Sequence, residues 1–123
     1  MTNKVSSGDV VAVPIEGGGW CIGVVARTGS GKKARSLLVY FFSTLYSSLP
    51  GDIELSRLSP SDSCLIMMVS ELGLIDGKWR KIGRVDNWQE EHWPIPAFGR
   101  RNVVSGRYVR VTYQTPDKVD REE

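Results

Sequence analysis

The chain has 123 residues, the commonest size of a single domain, and at this length roughly two thirds of the unfolded surface is buried in one core. A hydrophobic content of 41% and a charged content of 24% are ordinary for a globular protein, and 13 glycines with 6 prolines favour turns and β structure over long helices. The net charge of +2 argues against a dedicated nucleic-acid binder, and no apolar run approaches the ~20 residues needed to span a membrane.

The N-terminus indicates a cytoplasmic protein, and this bears on the state of the two cysteines. Residues 1–7 are polar and are predicted to be frayed, and the first nine residues lack the apolar core of a signal peptide. Cys21 and Cys64 each lie beside or within an apolar run, where a free thiol packs as a small hydrophobe. Because nothing indicates secretion, we favour two buried thiols over a disulfide.

Three strands forming a meander are predicted in the first part of the chain. Residues 10–15 are a β-branched apolar run, and residues 20–27 follow a glycine-rich turn. After a second turn, residues 36–42 are apolar enough for the centre of a sheet. The first two strands are therefore expected to form a hairpin that the third strand extends.

The middle of the chain is less regular. Residues 43–63 carry scattered leucines without a clear period, and both an irregular segment and a short helix near residues 53–58 stay open. Residues 64–69 resume a buried strand, and residues 71–75 are a loop or one helical turn. Residues 79–85 follow a tight turn and are predicted to form a strand.

The last third of the chain completes a mainly β fold. Residues 86–101 are rich in tryptophan, proline and charge and are predicted to run as an ordered loop over the sheet. Residues 106–113 alternate strictly, as a half-exposed strand does, and residues 114–123 form a charged tail that we predict to be disordered. The expected fold is a small single-domain antiparallel barrel or strongly coiled sheet of about six strands with little helix, spanning residues 8–113.

No catalytic or metal-binding pattern is present in the sequence. The segment at residues 29–33 lacks two features of a phosphate-binding loop, since Ala26 stands where the first glycine is needed and Lys33 where Ser or Thr is needed. One histidine and two separated cysteines give no zinc-ligand spacing, and His92 has no nucleophile motif near it. No spacing singles out a carboxylate pair. We therefore expect a protein that is not an enzyme and has no cofactor.

The four tryptophans divide into two pairs. Trp20 and Trp79 each open a predicted strand and are expected in the core or at its edge. Trp88 and Trp93 lie in a polar loop, where they either cover one open end of the barrel or contribute to a binding surface. The mixed aromatic and charged composition here predicts a protein-binding surface made of Asn87, Trp88, Glu90, Glu91, His92, Trp93, Arg100 and Arg101.

An alternative function is nucleic-acid binding by a small β-barrel. It would use a basic hairpin and two exposed arginines of the last predicted strand, namely Arg27, Lys32, Lys33, Arg35, Arg107 and Arg110. A basic run of this size is more often a solvated hairpin tip.

The order of several short motifs resembles a known family. Residues 8–14 read Gly-Asp-Val-Val-Ala-Val-Pro, residues 22–25 read Ile-Gly-Val-Val, and later come Gly77-x-Trp79-x-x-Ile82-Gly83 and Pro96-x-Phe98. This succession resembles the immunity protein 26 family of bacterial polymorphic toxin systems over residues 8–113.

The resemblance implies a cytoplasmic protein that binds one toxin domain, made by the same cell or delivered by a sister cell through contact-dependent inhibition. Such a protein neutralises its toxin without turnover, so it needs a stable scaffold and a complementary patch rather than a catalytic residue. The near-neutral charge departs from the acidic surface that would suit a basic nuclease, which leaves the toxin's activity open.

Overall fold

Five strands between residues 9 and 84 pair side by side in one antiparallel sheet. The computed structural model describes residues 4–30, 34–50, 58–101, 104–116 and 118–122. The strands of this sheet are β1 (Asp9–Pro14), β2 (Trp20–Thr28), β3 (Ser36–Tyr46), β4 (Leu65–Ser70) and β5 (Arg80–Arg84). Their order is β4-β3-β2-β1-β5, which confirms the predicted hairpin and meander and leaves β4 and β5 at the two edges.

A second, three-stranded sheet is built by the C-terminal third of the chain. It consists of β6 (Phe98–Arg101), β7 (Tyr108–Thr115) and β8 (Lys118–Glu122), in that order and antiparallel throughout. The prediction of a mainly β, antiparallel fold is confirmed. The strands that the structure describes form no closed barrel.

Helical structure is limited to single turns in the described residues. One α-helical turn, α1 (Leu72–Ile75), lies between β4 and β5, as one of the two sequence interpretations had it. Single 3-10 turns occur at Pro60–Asp62 and Glu90–His92. The helix considered near residues 53–58 falls almost entirely outside the described residues. No helix in the described ranges has the length and apolar character required to span a membrane.

Three predictions of disorder or loop are wrong, because contacts with distant parts of the chain order these segments. Val5, within the segment expected to be frayed, is 1% exposed and packs in the core. Residues 98–101, expected to belong to a long loop, form β6. Residues 118–122, in the tail predicted to be disordered, form β8 against β7.

The central strands carry apolar side chains on both faces, which explains their continuous hydrophobic runs. Alternate residues point to opposite faces, so each strand contributes to two clusters. The first cluster comprises Val10, Ile22, Val24, Ala26, Leu38, Tyr40, Phe42, Val85 and Trp93. The second comprises Val5, Val11, Val25, Leu37, Val39 and Leu74, with Trp79 packed against it.

The two cysteines are free thiols, as predicted, but they are not both buried. Cys21 is half-buried, whereas Cys64 is exposed immediately before β4. The prediction of burial is therefore wrong for Cys64, because β4 lies at an edge of the sheet and not in its interior. Burial raises the pKa of the Cys21 thiol, and nearby Cys64 raises it further.

Candidate partner-binding site

The segment at residues 86–93, called here the tryptophan loop, leaves the end of β5 and turns back over the sheet. Its reversal begins at Asn87, whose φ of 52° lies in the left-handed region that asparagine tolerates better than most residues. The 3-10 turn follows, in which the His92 amide donates to the Gln89 carbonyl and the Trp93 amide to the Glu90 carbonyl, each at 3.0 Å. The loop therefore has a defined local backbone.

Trp93 anchors the C-terminal end of the loop in the core. Its side chain is only 3% exposed and makes edge-to-face contacts with Tyr40 (centroids 5.1 Å apart) and Phe42 (6.4 Å). The Tyr40 hydroxyl donates a hydrogen bond to the Pro94 carbonyl. Burial raises the pKa of the Tyr40 phenol above its ordinary value.

Trp88 lies over the start of β1. It is half-buried, and its ring is tilted by 33° against that of Trp93 with centroids 5.5 Å apart. A Cβ atom on Gly8 would stand 2.7 Å from the Trp88 Cγ, so only glycine allows the ring to lie this close. The Gly8 carbonyl also accepts a hydrogen bond of 2.8 Å from the Val85 amide at the loop entry. Trp93 is thus a core residue and Trp88 packs against the same cluster, but neither covers the open end of a barrel, because the described strands form no closed barrel.

An arginine from the main sheet holds the middle of the loop. Arg27 Nε lies 2.9 Å from Glu90 Oε1, and Arg27 Nη2 donates to the Glu90 carbonyl at 3.1 Å. The guanidinium is fixed in turn by a 2.8 Å bond from Nη1 to the Ala26 carbonyl. Side-chain exposure is 17% for Arg27 and 53% for Glu90, so the cation is covered while the carboxylate stays at the surface.

The outward side of the tryptophan loop is polar and acidic. We call this side the loop face; it consists of the exposed residues Asp86, Asn87, Gln89, Glu90, Glu91 and His92. Three of these carry carboxylates, although the whole chain has a net charge of +2. The face stands on a base fixed by aromatic packing and ion pairing, which is the arrangement expected of a preorganised binding surface.

Two of the predicted site residues lie on a different element. Arg100 and Arg101 belong to β6, where their backbones pair with Val109 and Tyr108 of β7. Their side chains fall outside the described part of the chain. The structure thus brings Asn87, Trp88, Glu90, Glu91 and His92 together in one loop, places Trp93 beneath it, and puts the two arginines in the second sheet.

The residues proposed for nucleic-acid contact do not form one free basic patch. Arg27 is engaged with Glu90, and Arg35 forms a bidentate pair with Glu71, with Nη2 to Oε2 at 2.9 Å. Lys32 and Lys33 lie outside the described residues. Arg107 and Arg110 are exposed, on or beside β7.

A buried carboxylate beside the loop was missed by the sequence analysis. Asp9 is 2% exposed, and its carboxylate accepts the Ser6 amide at 2.7 Å and lies 3.2 Å from both Lys81 Nζ and Arg84 Nη1. The Ser-x-x-Asp spacing is the local signal, since an aspartate can cap a turn three residues before it. Its two cationic partners on β5 can be seen only once the strands are paired.

The described residues contain no cluster of three or more potential metal ligands, and their buried polar side-chain atoms all have hydrogen-bond partners. A shallow cleft of about 350 Å³ opens between residues 63–66 and 96–98 and is lined by none of the residues of the tryptophan loop. Its walls are mostly apolar.

The chain was compared with curated proteins, solved structures and family models. Neither the curated proteins nor the solved structures that were searched contained a match to this sequence. The family model for immunity protein 26 matches residues 6–110, which span β1 to β6 and reach into β7. The matched range covers both edges of the main sheet and the whole tryptophan loop. The chain therefore belongs to the immunity protein 26 family.

Proposed function

We propose that this protein neutralises a cognate bacterial toxin domain by binding it through the loop face. The observation that carries the proposal is the anchoring of an exposed acidic surface by Trp93, Trp88 and Arg27. Membership of the immunity protein 26 family supports a toxin as the partner.

Binding alone is sufficient for this mechanism. Because the loop is already ordered, binding of a partner costs little conformational entropy. More of the free energy of the contacts therefore appears as affinity. The carboxylates of Asp86, Glu90 and Glu91 suit lysine or arginine side chains on the toxin, and complementary charge accelerates association and selects the partner. Blocking the toxin's active site or an adjoining surface requires no turnover and no cofactor.

Individual loop residues take different parts in this proposal. Asn87, Glu90, Glu91 and His92 contact the toxin directly, and Trp88 adds its exposed edge. Trp93 holds the loop from beneath, and Arg100 and Arg101 extend the surface onto β6. The protein acts in the cytoplasm of a cell that makes the toxin or receives it from a sister cell by contact-dependent delivery.

The first experiment is co-expression with the product of the reading frame immediately upstream. The wild-type protein is expected to restore growth and to co-purify with that product. If the upstream product is harmless, or stays lethal when this protein is present, the proposal fails.

A pair of matched variants tests the loop face. Glu91→Arg reverses an exposed charge in the loop, whereas Glu16→Arg does the same in the exposed turn between β1 and β2. We expect Glu91→Arg to weaken toxin binding about tenfold or more, as reversal of an interface charge does, and Glu16→Arg to leave binding unchanged. If titration calorimetry gives the two variants equal affinities for the toxin, the loop face is not part of the interface.

A further inference from the structure

The two edges of the main sheet differ in charge. β5 carries the exposed cations Arg80, Lys81 and Arg84, whereas β4 (Leu65–Ser70) has no charged residue. In the described part of the chain, neither edge pairs with a further strand. Charged side chains on an edge strand protect it from pairing with another sheet, and β4 lacks this protection.

The side chains of β4 leave apolar surface at this edge. Leu65 is 51% exposed and Met67 is 39% exposed on one face of the strand. On the opposite face, Ile66 and Met68 pack against the first core cluster. An uncharged edge with exposed apolar side chains and available backbone groups is a template for an added strand.

The apolar pattern of β4 is symmetric about Met67. In an antiparallel pair of strands, directly opposed residues lie on the same face of the sheet. When the two strands are copies of β4 related by a two-fold axis, the axis can pass between the two Met67 residues, so that Met67 opposes its own copy. Leu65 then opposes Val69, and Ile66 opposes Met68. Each of these cross-strand pairs is apolar, which is the contact that stabilises neighbouring strands.

We propose that β4 pairs antiparallel with β4 of a second copy of this chain, joining the two main sheets into one continuous sheet about a two-fold axis at Met67. The lack of charge on β4 and the small net charge of the chain favour a second copy of this chain as the partner strand. An uncharged strand opposes itself without like-charge contacts, and a net charge of +2 gives little repulsion between copies. The same pairing at β5, about its middle residue Ile82, would oppose Arg80 of each copy to Arg84 of the other and bring like charges together.

The test is the mass in solution, measured by light scattering and by sedimentation without any toxin. A series from ~1 µM to ~500 µM separates monomer from dimer, because dimer formation follows mass action. The wild-type protein is expected to approach twice the 13.7 kDa chain mass at the upper end. A wild-type chain that stays monomeric throughout overturns the proposal.

Two lysine variants locate the contact. Met67→Lys places like charges opposite each other at the axis and is expected to raise the dimer dissociation constant at least tenfold. The control is Leu72→Lys, on α1, where the native side chain is 56% exposed and lies off the edge. Equal dissociation constants for Met67→Lys and the wild type, or an equal loss in Leu72→Lys, overturn the proposed edge.

Hydrogen exchange of the wild-type protein gives a readout that needs no variant. Protection of the β4 amides is expected to rise with protein concentration while protection in β5 stays constant, and constant protection in β4 contradicts the proposal. If the wild type is monomeric and Met67→Lys loses toxin protection, the edge belongs to the toxin interface and the dimer is excluded. Failure of the toxin proposal leaves the dimer measurements unaffected, because they contain no toxin.

Discussion

Arg27 of β2 and Glu90 of the tryptophan loop are joined through both side chain and main chain. The Nε–Oε1 distance is 2.9 Å, and a second guanidinium nitrogen reaches the Glu90 carbonyl at 3.1 Å. The carbonyl contact fixes the backbone of the 3-10 turn, while the side-chain contact orients one carboxylate of the loop face. A core strand thereby sets the position of a surface loop 63 residues further along the chain.

Arg27→Met removes both contacts while keeping the apolar stem of the side chain. Because Glu90 is half-exposed, we expect the free energy of unfolding to fall by only about 1–2 kcal/mol. Amide exchange across residues 88–93 should increase, since the loop loses its tie to β2. Arg110→Met, at an exposed position of β7, is the control and should change neither quantity. Unchanged loop exchange in Arg27→Met would show that the tryptophans alone hold the loop.

Gly8→Ala tests the close approach of Trp88 to β1. Gly8 has a φ of 97°, and a Cβ there would lie 2.7 Å from the Trp88 Cγ. Gly17 has nearly the same φ, 94°, with no atom within 4 Å of an added Cβ. We expect Gly17→Ala to cost about 1 kcal/mol from backbone strain alone, and Gly8→Ala about 2–4 kcal/mol because the ring must also shift. Urea denaturation that gives equal costs would argue against the Trp88 contact.

The core strands could be predicted from sequence because their signal is local. β2 and β3 begin at the predicted residues, Trp20 and Ser36, where continuous β-branched and apolar runs start. Strands β6 and β8 were missed, since short segments rich in arginine, lysine and acidic residues resemble loops. Their strand structure comes from pairing with β7, and strand propensity depends on such neighbours.

The position of the candidate site in the sequence could be predicted, but which of its side chains are buried and which are exposed could not. Composition singled out the residues around Trp88 and Trp93, yet their separation into a half-buried ring and a core ring depends on Tyr40 and Phe42, which lie far away in the chain. Arg27 was assigned to a basic hairpin because Lys32 and Lys33 follow it a few residues later, whereas its carboxylate partner lies in the loop. Long-range ion pairs leave no periodic pattern in a sequence.

Glu71 makes stability depend on pH. Its carboxylate accepts four hydrogen bonds from the backbone amide and guanidinium of Arg35, and these bonds lower its pKa although burial opposes them. Because the pKa is lower in the folded state, ionised Glu71 stabilises the fold at pH values above the ordinary glutamate pKa of about 4.3. This contribution is lost as the pH falls through the pKa of the folded state. The wild-type free energy of unfolding should therefore decrease from pH 5 towards about pH 2.

Glu71→Gln isolates this contribution. At pH 7 the variant leaves the largely buried Arg35 guanidinium without its carboxylate, and we expect a loss of about 1–3 kcal/mol. The difference from wild type should shrink as the wild-type carboxylate becomes protonated at low pH. Glu91→Gln, at an exposed position, is the control and should be nearly neutral at every pH. If urea titrations show that the difference in free energy of unfolding between wild type and Glu71→Gln stays constant down to about pH 2, the loss comes from packing and not from the charge of Glu71.

Trp79→Ala and Trp93→Ala compare two tryptophans that differ in burial. Trp79 is half-buried; its ring contacts Phe41 edge-to-face at 6.4 Å and lies against Gly73, whose carbonyl accepts the Trp79 amide at 2.9 Å. A fully buried tryptophan would cost about 3–5 kcal/mol on truncation, so we expect that range for Trp93→Ala and about 2–3 kcal/mol for Trp79→Ala. Denaturant midpoints measure both. A cost below ~1 kcal/mol for Trp79→Ala would place its ring at the surface, and a cost equal to that of Trp93→Ala would mean that α1 loses its packing along with the ring.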